Sequence, residues 1–149
     1  MKSLPNDIFF AEVEHLLSEE GRVVLTVQGN SMRPFMRSGR TRVSLVCCDV
    51  ERLKRGDIVL FRYRGRHILH RITARSGKMF ELSGDGNYRV SEHCGADDII
   101  AKVDAVINRR GRITKCSSRS WRWRSALWLW LHPFVRRCIL SLLLRSGLK

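Results

Sequence analysis

Three short stretches of the chain hold residue types that can do chemistry. VQGNSMRPFM (27–36) ends an apolar run in Gly29-Asn30, residues that tolerate positive φ, and so presents Ser31 at the tip of a turn. A serine placed there can be an exposed nucleophile whose own N–H is free for an oxyanion. It can equally cap a turn or helix, with Pro34 just inside its first residues. HILHRIT (67–73) reads as a strand in which Ile68, His70 and Ile72 share one face and His67, Leu69, Arg71 and Thr73 the other. A histidine in that setting is either a general base or a buried, hydrogen-bonded core residue. LSGDGNYRVSEH (82–93) carries Asp85 in Gly84-Asp85-Gly86-Asn87. That carboxylate can bond its own backbone in a tight turn, or it can orient His70 and stabilise its protonated form.

The same alternation argues against a metal. His67 and His70 point to opposite strand faces, and His93-Cys94 is expected on a loop without a partnered pair. No metal and no cofactor are expected.

The elements that must position these residues can be read from period and turn signals. In Asn6–Glu20, Ile8, Phe9, Val13, Leu16 and Leu17 recur at helical spacing, and Gly21 stops the run. From there to Ile107 the period is two. Strands are predicted at 23–27, 42–46, 57–62, 67–73, 78–83 and 99–107, separated by Gly-, Asn- and Asp-containing turns. Short strands at this spacing predict a mainly β domain, an antiparallel barrel or coiled sheet, behind a short N-terminal helix. The expected segments are 1–22 (helix), 23–107 (β domain) and 108–149 (a basic, Trp/Leu-rich helical tail).

Taken together, GNSMRPFMRSG, RGDIVLFRYRGRHILHRI and LSGDGNY resemble, in order and spacing, three boxes of the signal peptidase I and LexA-like serine peptidase superfamily. The resemblance covers about residues 23–107. It implies that Ser31 is the nucleophile and that His70 stands where many bacterial members carry a lysine base. A histidine there is similar to the endoplasmic-reticulum-type and archaeal-type branch, in which an aspartate matching Asp85 assists. The implied chemistry is acyl transfer: His70 takes the Ser31 proton, Ser31 attacks a peptide carbonyl after a small residue, and water releases the acyl-enzyme. Met32, Pro34, Arg71 and Asn87 would support the motifs or the substrate, with Gly56 and Asp57 as turn formers. The chain departs from the family pattern in Gly39-Arg40, where Gly-Asp is usual. Ser91 and Glu92 stand where a second aspartate is often found, with Asp97 or Asp98 as possible substitutes. The family's N-terminal membrane anchor is not expected here, since MKSLPNDIFF offers no long apolar run.

Charge bears on partners. The 149 residues include 28 Lys+Arg and 14 Asp+Glu, for a net +14, yet residues 109–149 hold 11 of the basic residues and none of the acidic ones. The excess therefore belongs to the tail, and an anionic membrane surface is its expected partner. Tryptophans beside arginines, followed by leucines, suit a helix pair lying in a membrane interface or a helical hairpin packed on the β domain. Nucleic acid ranks last, because the aromatics cluster with leucines and do not alternate on a polar face. Five cysteines without a C-x-x-C pair fit a reduced compartment. MKSLPNDIFF lacks the apolar core of a secretory signal, so a cytoplasmic or cytoplasmic-face location is expected.

The leading expectation is a serine endopeptidase that cuts a precursor or leader peptide. The alternative is a catalytically inactive binding or scaffold domain with a membrane- or nucleic-acid-binding tail. A self-cleaving, DNA-binding repressor ranks lower, because about 22 residues before the first strand leave no room for a reading domain.

Overall fold

The computed structural model describes residues 6–146. Residues 1–5 and 147–149, the outer ends of the expected helix and tail segments, lie outside the described residues. Helix α1 (Asn6–Glu20) precedes β1 (Arg22–Thr26), β2 (Arg42–Val46), β3 (Ile58–Tyr63), β4 (Arg66–Ser76), β5 (Met79–Gly84), β6 (Asn87–Gly95), β7 (Ile99–Ile107) and β8 (Ile113–Lys115). Two helices close the order, α2 (Arg119–Trp130) and α3 (Pro133–Arg145).

All strand pairs are antiparallel, in the spatial order β1-β2-β7-β3-β4-β5-β6. β8 pairs with β7 on the edge away from β2, beside β3. Of the expected forms, a barrel or a coiled sheet, the barrel does not form: β1 and β6 end the path and the sheet stays open. With three helices beside it the fold is mixed α/β and not the mainly β one expected. Along β6 the exposed Arg89, Ser91 and His93 suit a solvated edge. Register shifts interrupt the ladders between Leu60 and Phe61, Ile72 and Ala74, and Leu82 and Gly84, where local twist increases.

The sheet has a core on each face. β3 shows why: Ile58 and Leu60 pack with Val13, Leu17, Met32, Met36, Val43 and Leu45, while Val59 and Phe61 pack with Leu53, Ile72, Phe80 and Leu82. A central strand apolar on both sides is fully buried. Each large side chain so buried contributes about 1.5–3 kcal/mol. Helix α1 lies over the first core, held by Phe10 stacked on His67 at 4.1 Å and by Glu14 bonded to Arg62 at 2.6 Å.

The tail is structured from its start. Cys116 N–H bonds Asp104 C=O after β8, Ser118 caps α2 by accepting from Trp121 N–H, and Pro133 opens α3 beyond His132. Trp121 joins the first core.

Candidate active site

The site is built by β4 and the two strands beyond it. Arg71 pairs with Ser83, so His70 falls opposite Gly84 one step along the same register. His70, Arg71 and Ile72 are all buried, and alternation sends them to alternate faces. His70 goes with Ile68 and Ile72 into the second core, 6.3 Å from the Phe61 ring. Arg71 turns the other way, its guanidinium 4.8 Å over Phe35 and 6.0 Å over Trp121.

That division sorts the acids. On the His70 face, β6 supplies Glu92, whose Oε2 lies 2.9 Å from His70 Nδ1. On the Arg71 face, both Asp85 oxygens accept from Arg71 at 2.7 Å, the geometry of a carboxylate in a bidentate pair. Burial pushes the Asp85 carboxyl upward, and Arg71 pulls it back. The acid bonded to His70 is therefore Glu92, and Asp85, the sequence-predicted partner, is engaged by Arg71. Consecutive strand residues cannot both face one carboxylate.

Ser31 arrives from a separate turn, Ser31–Phe35, anchored by Met32 and Met36 in the first core. Met32 is thus a core residue, 2% exposed. Pro34 is joined to Arg33 by a cis peptide bond. The turn is fastened to the β5–β6 hairpin where Gly86 N–H donates to Ser31 C=O at 2.7 Å. Two glycines permit that approach. A Cβ at position 84 would stand 2.5 Å from the Ser31 carbonyl oxygen, 3.0 Å from His70 Nε2 and 3.1 Å from Ser31 Cβ. One at position 86 would stand 2.9 Å from the Asn30 carbonyl oxygen. Ser31 Cβ and His70 Nε2 therefore both border the space over Gly84. Among the described residues no hydrogen bond joins Ser31 Oγ to His70. Catalytic pairs without substrate are commonly long and tighten on binding. The Ser31 N–H, too, has no acceptor among the described residues, as an oxyanion donor requires.

No protein-family model and no curated protein matches this chain.

The remaining predicted residues separate by role. Asn87 is exposed at the start of β6, and its carbonyl accepts from Ser83 Oγ. Gly56 adopts φ +98° and its carbonyl accepts from Arg71, while Asp57 caps Lys54 N–H and pairs with Lys102 at 3.1 Å. His67 points to α1, away from His70, 3.6 Å from Glu14. Among the described residues no three His, Cys, Asp or Glu side chains gather as metal ligands. His93 and Cys94 lie in β6 and not on the expected loop.

Helices α2 and α3 back the hairpin. Trp128 Nε1 donates to Asp85 C=O at 3.2 Å, and Tyr88 Oη donates to Pro133 C=O at 2.8 Å. Nothing in the sequence around Trp128, a basic and aromatic segment, signals this contact between the tail and the Asp85 turn.

Proposed function

We propose that the chain is a serine endopeptidase of the signal peptidase and LexA-like type that cleaves a precursor or leader peptide by acyl transfer. The observation that carries the reading is that Ser31 Cβ and His70 Nε2 both lie within 3.1 Å of one point over Gly84, while Glu92 engages Nδ1.

The chemistry depends on which nitrogen is occupied. With Nδ1–H donated to Glu92, Nε2 is left with the lone pair a general base needs. Nε2 takes the Ser31 proton as Oγ attacks the peptide carbonyl, and Glu92 stabilises the imidazolium that forms. The proton then passes to the departing amine. Water, activated by the same nitrogen, frees Ser31 from the ester. The Ser31 N–H is placed to donate to the oxyanion. Asp85 acts indirectly: its pair with Arg71 holds the hairpin that carries Gly84 and Gly86.

The test compares protein N-termini in host cells carrying the native chain with those in cells carrying Ser31→Ala at equal abundance. A small set of termini lost in the variant, each preceded by small residues, is expected. Identical termini would leave the fold as a binding domain with an inert serine.

A further inference from the structure

Helix α2 has two apolar faces. Trp121, Ser125 and Trp128, at helical spacings of four and three, are buried. Trp123, Leu127 and Trp130 repeat that spacing on the opposite face and are exposed, Trp130 to 80%. A bend of 116° separates α3, which leaves Phe134, Val135, Leu142 and Leu144 exposed. No single helix among the described residues is long and apolar enough to cross a membrane.

The charge around these side chains has one sign. Arg119 shares the outer face of α2, Arg122 and Arg124 flank it, and Arg137 and Arg145 are exposed on α3. Beside α2 opens a cleft of about 1460 Å³ whose wall adds Lys54, Arg55 and Lys115. Its two carboxylates, Asp57 and Asp104, are paired with Lys102 and Arg22 at 3.1 and 2.8 Å. Indoles and leucines ringed by guanidiniums fit the boundary between headgroups and acyl chains of an anionic bilayer. A nucleic acid would satisfy the charges but would leave the leucines in water.

The inner sides of both helices are fastened to the hairpin turn beside the site. Trp128 holds the Asp85 carbonyl, Tyr88 holds Pro133, and Arg136 lies 5.5 Å over the Tyr88 ring and 5.8 Å over Trp128. We infer that α2 and α3 dock on an anionic lipid surface through Trp123, Trp130 and their flanking arginines, and that docking braces the hairpin turn 84–88 against Ser31. If the chain is the peptidase proposed for it, cleavage is then faster on such a membrane than in free solution.

The test uses the full chain carrying Ser31→Ala, so that binding is read without activity. Phosphatidylcholine vesicles with and without phosphatidylglycerol are floated, and amide hydrogen exchange is measured on the bound protein. Flotation is expected with phosphatidylglycerol alone, weakened by added salt and about tenfold or more by combining Trp123→Ala with Trp130→Ala. Amides of residues 84–88 are expected to exchange more slowly on the vesicles. Flotation indifferent to lipid charge, or tighter retention by an RNA oligonucleotide than by these vesicles, overturns the docking. Bound protein with unchanged exchange at 84–88 overturns the bracing. Peptide cleavage by the unsubstituted chain is measured separately: its absence defeats the peptidase reading and leaves both binding results intact.

Discussion

His70 and Glu92 face each other from β4 and β6 with Nδ1 and Oε2 2.9 Å apart, their side chains only 6% and 10% exposed. An inward carboxylate on a strand needs a partner that offsets its lost hydration. Here that partner is an imidazole whose other nitrogen borders the space over Gly84 that Ser31 also lines. The pair thus makes two demands on one ring, a fixed orientation and a counter-charge when it is protonated.

Replacing Glu92→Gln keeps an acceptor near Nδ1 and removes the charge. Peptide cleavage is expected to lose about 10²–10⁴-fold in kcat with KM nearly unchanged. Steady-state kinetics on a cleaved peptide separates this from a purely structural role, which would lower the folded fraction and leave the kcat of folded protein alone.

Gly84→Ala fills the space that Ser31 and His70 both border. The added methyl stands 2.5 Å from backbone, the Ser31 carbonyl oxygen, so the turn must move. A stability cost of about 1–3 kcal/mol is expected together with loss of cleavage. Gly77→Ala is the control: its Cβ meets nothing, and only the strain of φ +58° is introduced. Thermal melts should place both variants as folded, with activity kept only at position 77.

Arg71 and Asp85 are 0% and 3% exposed. Arg71→Ala leaves a buried carboxylate without its cation and is expected to cost about 3–5 kcal/mol. Converting both, Arg71→Met with Asp85→Leu, should recover much of that loss. Urea unfolding curves read the difference, and a double variant no more stable than Arg71→Ala would contradict the pairing.

The thiols should separate in reactivity. Cys47 and Cys138 are exposed, whereas burial pushes Cys94 up to about 11 and Cys116 up to about 12. A raised thiol value lowers the thiolate fraction, to about 10⁻⁴ at pH 8 for Cys116. Mass spectrometry after brief alkylation should find Cys47 and Cys138 labelled first, with Cys94 and Cys116 labelled only once the chain is unfolded.

The two faces of α2 predict opposite outcomes for one residue type. Trp128→Ala removes a buried ring and the donor to Asp85 C=O, and is expected to cost about 3–5 kcal/mol. Trp130→Ala, on the exposed face, is expected to stay within about 0.5 kcal/mol of the native chain. Melting temperatures of the two variants decide the matter.

Strands whose inward residues are apolar are plain in the sequence, as Ile99–Ile107 shows. Asn87–Gly95 does not read as a strand, because its inward positions include Glu92, a charge where alternation calls for a hydrophobe. The residue that completes the His70 arrangement is therefore the one that hides its own strand. The placements of Ser31 on a turn and His70 on the inward face of its strand are legible from turn chemistry and flanking isoleucines, while the roles expected of them come from the family resemblance alone. The partner of Asp85 is not legible: alternation already sets Arg71 on the face away from His70, but which face the Asp85 carboxylate turns to is decided by the β5–β6 turn and the sheet register, not by local composition. Ile113–Lys115 escapes notice for its length, three residues of which none is buried.

Residues 119–130 answer to two environments on opposite sides of one helix, and evolution can act on each side separately. Point changes at Trp123, Leu127 or Trp130 can retune what the outer side meets while Trp121 and Trp128 continue to close the core. A single inserted or deleted residue cannot do so, since it rotates every later side chain by about 100°. It would carry Trp128 away from Asp85 and disturb the core in the same step. Descendants of this chain should therefore vary in side chains along α2 and hold its length fixed between Trp121 and Trp128.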